Sequence, residues 1–174
     1  MGVFPCPFLH TIVFWKRLYI RSLGVRLSAD SRGYSINGLY TTLCIGADVH
    51  LDEIVLCVVD KADGHEVVDP FRVTNNLPGA QAAATAIAEI ATDLGYARTE
   101  IGWEATGMLW IPFHRYLSCC PQLQPFEREL VCFNPQLVTK FKDGLVLRRP
   151  KNDKLSASAI AARLRFGELP LSYV

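Results

Sequence analysis

Three acidic residues lie where elements of the chain are predicted to begin or end. Asp48 lies in an apolar run, Glu104 closes a second short run, and Asp153 opens a segment with helical spacing. An ionised carboxylate in an apolar strand is costly unless it is paired or coordinates a metal. Hard divalent cations prefer oxygen ligands. The pattern therefore predicts a divalent-metal site that the fold assembles from distant parts of the chain.

Each of the three carboxylates also has a structural explanation. Asp153 would serve as an N-cap of the helix that it opens, worth about 1 kcal/mol. Asp48 would bond a neighbouring turn at a strand end, and Glu104 would be solvated at a strand tip. These explanations stay open when each residue is taken alone. The support for a metal site therefore comes from the order of the elements that carry the three acids.

Apolar runs at 43–49 and 54–60 predict two buried strands. Asp63-Gly64 is typical of a tight turn and predicts a hairpin to a third strand at 66–73. Helical spacing of apolar residues follows from Pro78 to the predicted stop at Gly95. The later predicted elements are a strand at 100–104, a helix around 110–117, a loop at 118–128, a strand at 130–133, a helix at 136–141 and a helix opened by Asp153.

The phase of the last helix can be counted from the sequence. The residues predicted to share one face are Asp153, Ser156, Ala157, Ile160 and Leu164. Their successive separations of three, one, three and four residues place them together on one face of a helix. Because that face is mostly apolar, it is predicted to pack inward and to direct Asp153 toward the domain.

Composition bounds the fold class without identifying a function. The chain has 174 residues, half of them hydrophobic and a fifth charged, which is ordinary for one folded domain. The formal net charge is +1, yet the stretch 140–165 is rich in cations. Its basic residues are Lys140, Lys142, Arg148, Arg149, Lys151, Lys154, Arg163 and Arg165. A basic stretch beside an acidic centre favours a polyanionic substrate.

The six cysteines have no spacing typical of a zinc site, and they predict reduced thiols in a cytoplasmic protein. The apolar N-terminal stretch stops at Lys16 and Arg17, short of the about 20 residues that a spanning helix needs. No stable membrane association is therefore predicted. Residues 1–42 are predicted to be a basic and apolar extension, whether ordered or not, and 43–174 to be the functional domain.

Four short motifs, in this order and spacing, resemble the N-terminal domain of the DEDD transposases of bacterial insertion sequences. They are the run from Ile45 to His50, Trp103-Glu104-Ala105-Thr106-Gly107 with Trp110, Phe133-Asn134-Pro135, and Lys151-Asn152-Asp153-Lys154-Leu155. That domain is similar to the RuvC resolvase and has an RNase H-like fold. The resemblance thus implies a mixed α/β sheet with three antiparallel N-terminal strands, followed by helices alternating with further strands.

The resemblance also implies roles for individual residues. The first three acids of the family fall on Asp48, Glu104 and Asp153, as catalytic residues and ligands of Mg²⁺, and Ser156 replaces the fourth acid. The implied partner is DNA, with a structured guide RNA and homo-oligomers in the two-domain enzymes, whose C-terminal domain holds a catalytic serine. The chain ends before such a domain. The residues predicted to contact nucleic acid are Lys142, Arg148, Arg149, Lys151 and Lys154.

Two alternatives to an active bacterial transposase remain. Ser156 and the early end of the chain favour a catalytically inactive nucleic-acid-binding remnant. A fragment of an actin-like sugar kinase or ATPase would also begin with a Gly-containing strand that carries an Asp. The segment Val49-His50-Leu51 lacks the small, glycine-rich phosphate turn that such enzymes need.

Overall fold

A five-stranded sheet forms the centre of the domain. The computed structural model describes residues 41–145 and 153–167, with side chains for 41–141 and 156–167. In chain order the elements are β1 (Thr42–Val49), β2 (Glu53–Asp60), β3 (Glu66–Thr74), α1 (Leu77–Leu94), β4 (Arg98–Glu104), α2 (Ile111–Cys119), a 3₁₀ turn (Pro121–Leu123), β5 (Glu127–Phe133), α3 (Pro135–Leu145) and α4 (Asp153–Arg165).

The strand order in the sheet is β3-β2-β1-β4-β5. Strands β1, β2 and β3 are paired antiparallel, whereas β4 lies parallel to β1 and β5 lies parallel to β4. Because β2 and β1 lie between β3 and β4 in the sheet, the chain crosses from β3 to β4 over one face of the sheet, through α1. This arrangement confirms the predicted α/β class with three antiparallel N-terminal strands and is consistent with an RNase H-like fold.

Helix α1 begins and ends where its sequence predicts. The side chain of Asn76 accepts a hydrogen bond from the backbone N–H of Gly79, which satisfies a donor that the first turn leaves unpaired. Gly95 has a φ of 76°, a left-handed conformation that glycine adopts without a Cβ clash, and it ends the helix. The buried face of α1 is rich in alanine, so the helix lies close to the sheet.

The α1 and α2 layer covers the face of the sheet that carries its larger apolar side chains. The sheet residues buried on that face include Leu43, Ile45, Ile54, Leu56, Ile101 and Trp103. Each fully buried side chain of this size contributes roughly 1.5 to 3 kcal/mol to folding. This layer therefore supplies most of the apolar core.

Helix α4 covers the opposite face and lies unusually close to the two central strands. A Cβ atom added at Gly46 of β1 would overlap the carbonyl oxygen of Ala157 and lie 2.5 Å from the backbone nitrogen of Ala161. Gly102 of β4 is paired with Gly46, and a Cβ there would lie 2.7 Å from Cε2 of Phe133. The two neighbouring glycines thus form the shallow seat on which α4 rests.

The direction of α4 follows from its C-terminal contacts. Arg165 donates hydrogen bonds to the carbonyl oxygens of Lys61 (3.0 Å) and Ala62 (3.1 Å), in the turn between β2 and β3. The backbone N–H of Lys61 donates to the carbonyl oxygen of Thr42, at the start of β1. Helix α4 therefore runs antiparallel to β1, with Asp153 toward the end of β1 that carries Asp48.

The region between α2 and β5 differs most from the sequence prediction. The predicted loop at 118–128 contains the 3₁₀ turn and the start of β5, which begins at Glu127. Its polar start is stabilised because Arg98 of β4 forms ion pairs with Glu127 and Glu129. A strand edge held by cross-strand charges has no apolar alternation, so the pattern did not reveal it.

None of the helices among residues 41–145 and 153–167 is both long and apolar enough to cross a membrane. The described cysteines, at 44, 57, 119, 120 and 132, are free thiols. Burial and then the carboxylate of Glu100 raise the pKa of the Cys44 thiol to about 12, so this thiol is protonated at neutral pH.

Candidate functional site

Strand register brings Asp48 and Glu104 next to one another. Ala47 of β1 pairs with Trp103 of β4, and the two acids are the next residues along these parallel strands. Because side chains alternate along a strand, Asp48 lies on the same face as Gly46, and Glu104 lies on the same face as Gly102. Both acids therefore belong to the face covered by α4, at the carboxyl ends of two central strands. The side chain of Asp48 is 16% exposed, and Glu104 is half-buried.

The backbone of α4 brings Asp153 to the same end of the sheet. Ala157 lies against Gly46, and Asp153 is four residues earlier, roughly 6 Å along the helix axis. Asp48 is two residues beyond Gly46, roughly 7 Å along the strand. Since α4 runs antiparallel to β1, these two steps point the same way. The first residue of α4 is thus level with Asp48, and only its backbone is described.

Ser156 lies three residues after Asp153 on α4 and is half-buried. It immediately precedes Ala157, the residue against Gly46. The expected inward face of the helix is confirmed, since Ala157, Ile160 and Leu164 are buried against the sheet. The backbone therefore places Ser156 between the predicted acids and the packed part of α4.

His50 and Asn75 join the loops around these acids. The Nε2 atom of His50 is 3.2 Å from a carboxylate oxygen of Asp48. The side-chain amide of Asn75 donates to the carbonyl oxygens of His50 (2.7 Å) and Leu109 (3.3 Å). Asn75 thus ties the turn after β1 to the loop after β4. Asn75 lies between the predicted strand at 66–73 and the predicted helix from Pro78, so the sequence does not reveal this function of Asn75.

Aromatic packing on the other face anchors the end of β4. Trp103 is fully buried, and its ring lies 6.1 Å from that of Trp110 and 5.4 Å from that of His114. The indole N–H of Trp110 donates to the carbonyl oxygen of Gly107. His114 is thus a helix residue beside the core, and burial lowers its pKa. The packing holds the backbone next to Glu104 in place.

The residues predicted to contact nucleic acid lie largely beyond the described parts of the chain. Arg148, Arg149 and Lys151 are outside them, and for Lys142 and Lys154 only the helical backbone is described. Lys142 lies on α3 and Lys154 lies in the first turn of α4. Their contact with nucleic acid stays a prediction.

A second group of potential ligands lies at the opposite end of the sheet. Within the described residues, Asp60, Asp63 and His65 are the one His/Cys/Asp/Glu group whose ligand atoms all lie within 4.8 Å of one another. Asp60 accepts hydrogen bonds from the N–H of Ala62 (2.7 Å) and the hydroxyl of Tyr96 (2.8 Å). Asp63 accepts from the backbone N–H of His65, and this bond lowers the pKa of Asp63. These contacts account for the group as the frame of the β2–β3 turn.

A buried carboxylate lies near that turn as well. Glu100 of β4 is 1% exposed, and its Oε1 atom accepts a hydrogen bond from the ammonium group of Lys61 at 2.5 Å. The guanidinium of Arg98 lies 3.2 Å from the same oxygen. A buried carboxylate needs such partners to remain charged. The burial of Glu100 is therefore explained by its contacts with Lys61 and Arg98, without a role in metal binding or catalysis.

The family model for transposases of the DEDD type, IS110 group, matches residues 45–173. The chain belongs to this family. The matched span contains Asp48, Glu104, Asp153 and Ser156, and it includes all of the described elements apart from the first residues of β1. The comparison with curated proteins gave no match.

Membership in the family confirms the resemblance and assigns the transposase domain to transposition, with DNA as partner and a divalent metal as implied cofactor. The residues at the carboxyl ends of β1 and β4 fit such a metal, because Asp48 and Glu104 supply carboxylate oxygens from adjacent strands. The Asp60, Asp63 and His65 group lies at the other end of the sheet, so it is separate from the predicted acids.

Proposed function

We propose that the domain carries out Mg²⁺-dependent phosphodiester chemistry on the DNA of an insertion sequence during transposition. The observation that supports this most is the adjacency of Asp48 and Glu104 on parallel strands, with the first residue of α4, Asp153, at the same end of the sheet. Three carboxylates from three elements would then share one site.

In this proposal Asp48, Glu104 and Asp153 hold the metal, and Ser156 contributes a hydroxyl from the next turn of α4. A pair of Mg²⁺ ions, when bound, stabilises the attacking and the leaving oxygen of a phosphodiester. The role of the chain is to position the ligands. Gly46 lets α4 approach β1, and the contact of His50 with Asp48 restricts the orientation of that carboxylate.

The basic residues around α3 and α4 are proposed to bind the DNA backbone. Lys142, Arg148, Arg149, Lys151 and Lys154 precede or begin the helix that brings Asp153 to the site. Cations there would hold phosphates beside the acids, and binding would weaken steeply as salt releases the condensed counterions. A structured guide RNA and a homo-oligomeric active form are part of the same proposal. So are a division of the chain into an extension at 1–42 and the functional domain at 43–174, and a cytoplasmic location.

The proposal is tested by the processing of insertion-sequence ends in Mg²⁺ and in EDTA. Asp48→Asn and Glu104→Gln are expected to lower the rate by at least about 100-fold, because each removes a charged ligand. Asp52→Asn is the matched control, since Asp52 is an exposed acid in the turn that follows Asp48. Full activity of Asp48→Asn would refute the proposed site.

A second candidate function is nucleic-acid binding without catalysis, favoured by Ser156 in place of the fourth acid. A hydroxyl can ligate Mg²⁺ but supplies no negative charge, so the metal would bind more weakly. This candidate predicts salt-sensitive binding of DNA and no turnover by the wild-type chain.

The substitution Ser156→Asp separates the two candidates. It is expected to strengthen Mg²⁺ binding in either case, because it completes the set of acids. A large gain of cleavage from an inactive wild type would support the remnant, and a small change in an active wild type would support the enzyme. Unchanged metal affinity would show that Ser156 does not face the site.

A further inference from the structure

Two phenylalanine rings meet at the surface where α3 and α4 come together. Phe166, directly after α4, is 59% exposed, and its ring centroid lies 5.7 Å from that of half-buried Phe141 on α3. The planes meet at 65°, an edge-to-face geometry that leaves ring surface of Phe166 open. Leu137, one turn before Phe141, is 37% exposed. Exposed apolar groups that adjoin one another often mark a binding surface.

Cations surround these rings. The guanidinium of Arg163 lies 5.7 Å from the centroid of Phe141, and that of Arg165 lies 5.8 Å from the centroid of Phe166. Lys140 is exposed beside Phe141. Because Arg165 also donates to the carbonyl oxygens of the β2–β3 turn, the end of α4 that carries Phe166 is tied to the sheet. The ring of Phe166 is therefore presented on a fixed support.

The charge of the domain is divided between its two layers. Residues 41–134, which form the sheet up to β5 with α1 and α2, contain five basic and thirteen acidic residues. The described residues of the second layer, 135–145 and 153–167, contain α3 and α4 and have five basic and two acidic residues. A polyanion would be attracted to the second layer and repelled by the first. The exposed rings lie in the positive layer.

We propose that Lys140, Phe141, Arg163 and Phe166 form a binding surface for unpaired nucleobases of single-stranded nucleic acid. Such strands bind through aromatic side chains that stack with bases and through cations that follow the phosphates. The surface combines both features, whereas a surface that binds phosphates alone needs no exposed ring. The core of a protein–protein interface, by contrast, is depleted in lysine.

The surface is separate from the proposed acidic site. Helix α4 has 13 residues and is roughly 20 Å long, with Asp153 at one end and Phe166 just past the other. The inference rests on the proposed function only for the class of partner, since binding involves neither metal nor the acids.

The test is fluorescence anisotropy of a labelled 20-nucleotide oligo(dT) in EDTA. Phe166→Leu keeps an apolar side chain but removes the ring, and it is expected to weaken binding about tenfold. Phe166→Trp keeps a ring and is expected to bind the oligonucleotide as tightly as the wild type does. The oligonucleotide should quench the tryptophan emission of this variant more than it quenches that of the wild type. Leu77→Ala is the matched control, because Leu77 is also 59% exposed but lies on α1 in the acidic layer. Melting temperatures verify that each variant is folded.

Three results would overturn the proposal. Wild-type affinity in Phe166→Leu would show that the ring does not stack. If Phe166→Leu weakened the binding of duplex DNA as much as it weakened the binding of oligo(dT), unpaired bases would not be the ligand. A change in self-association by sedimentation, with oligonucleotide affinity unchanged, would assign the surface to contact between copies of the chain. Because the assay contains EDTA, an inactive metal site leaves its outcome unaffected.

Discussion

The two ends of the central sheet hold their carboxylates in different ways. At the β2–β3 turn, Asp60 and Asp63 accept hydrogen bonds from their own turn, and Glu100 is held by Lys61. At the other end, Asp48, Glu104 and the start of α4 come from three distant segments. Acids that frame a turn lie close in sequence, whereas acids that share a ligand need the whole fold to meet. The ends are connected by α4, which has Asp153 at one and Arg165 at the other.

The largest expected effect comes from separating α4 from the sheet. Gly46→Ala places a Cβ onto the backbone of Ala157 and Ala161, which cannot move aside as a side chain would. We expect a loss of at least about 3 kcal/mol in the free energy of unfolding, measured by urea denaturation. Such a loss would show that the stability of the fold depends on the close approach of α4 to β1.

Ala47→Gly is the control for that substitution, because Ala47 is the next residue and lies in the core on the other face. It removes one buried methyl group and should cost about 1 to 2 kcal/mol. If Gly46→Ala were no more destabilising than this control, the seat formed by the two glycines would be unimportant.

A smaller effect is expected from the buried carboxylate at the structural end. Glu100→Gln weakens the charge-assisted bond with Lys61 and should lower the free energy of unfolding by about 2 kcal/mol. Glu127→Gln alters an exposed partner of Arg98 and should cost less than about 1 kcal/mol. Divalent-metal affinity should be the same in both variants. A loss of metal binding in Glu100→Gln would contradict the assignment of Glu100 to stability and not to metal binding.

The smallest effect concerns the pH dependence of stability at the turn. The hydrogen bond from the backbone N–H of His65, followed by the contact with its side chain, lowers the pKa of Asp63 from its ordinary 3.8. A carboxyl whose folded pKa is depressed stabilises the fold above its unfolded pKa and loses that contribution as the pH falls through the folded pKa. Asp63→Asn should therefore narrow the stability difference between pH 6 and pH 3, measured by urea denaturation. If the stability difference between pH 6 and pH 3 were the same in Asp63→Asn as in the wild type, the hydrogen bonds of Asp63 would not contribute to stability as described.

Much of the fold could be predicted from the sequence because its signals are local. Apolar runs mark β1 and β2, Asp63-Gly64 marks their hairpin to β3, and Gly95 ends α1. The start of β5 could not be predicted, since its polar residues are stabilised by Arg98 on another strand. Contacts between distant segments leave no periodic pattern.

The site was predicted less completely than the fold. The positions of Asp48 and Glu104 in apolar runs predict them as ligands, and the strand register brings them together. Gly46 and Gly102 gave only the general signal that a glycine in a strand permits close approach, without naming α4 as the neighbour. The bridge made by Asn75 depends on the relative positions of two loops, which the sequence does not encode locally.

The most direct test of the account is a titration of the chain with Mn²⁺, in which the electron paramagnetic resonance signal of the free ion reports binding. Asp48→Asn, Glu104→Gln and Asp153→Asn should each weaken binding at least about tenfold, and Asp63→Asn should bind as the wild type does. Loss of Mn²⁺ binding in Asp63→Asn, with wild-type affinity in Asp48→Asn, would place the metal at the β2–β3 turn and contradict the account.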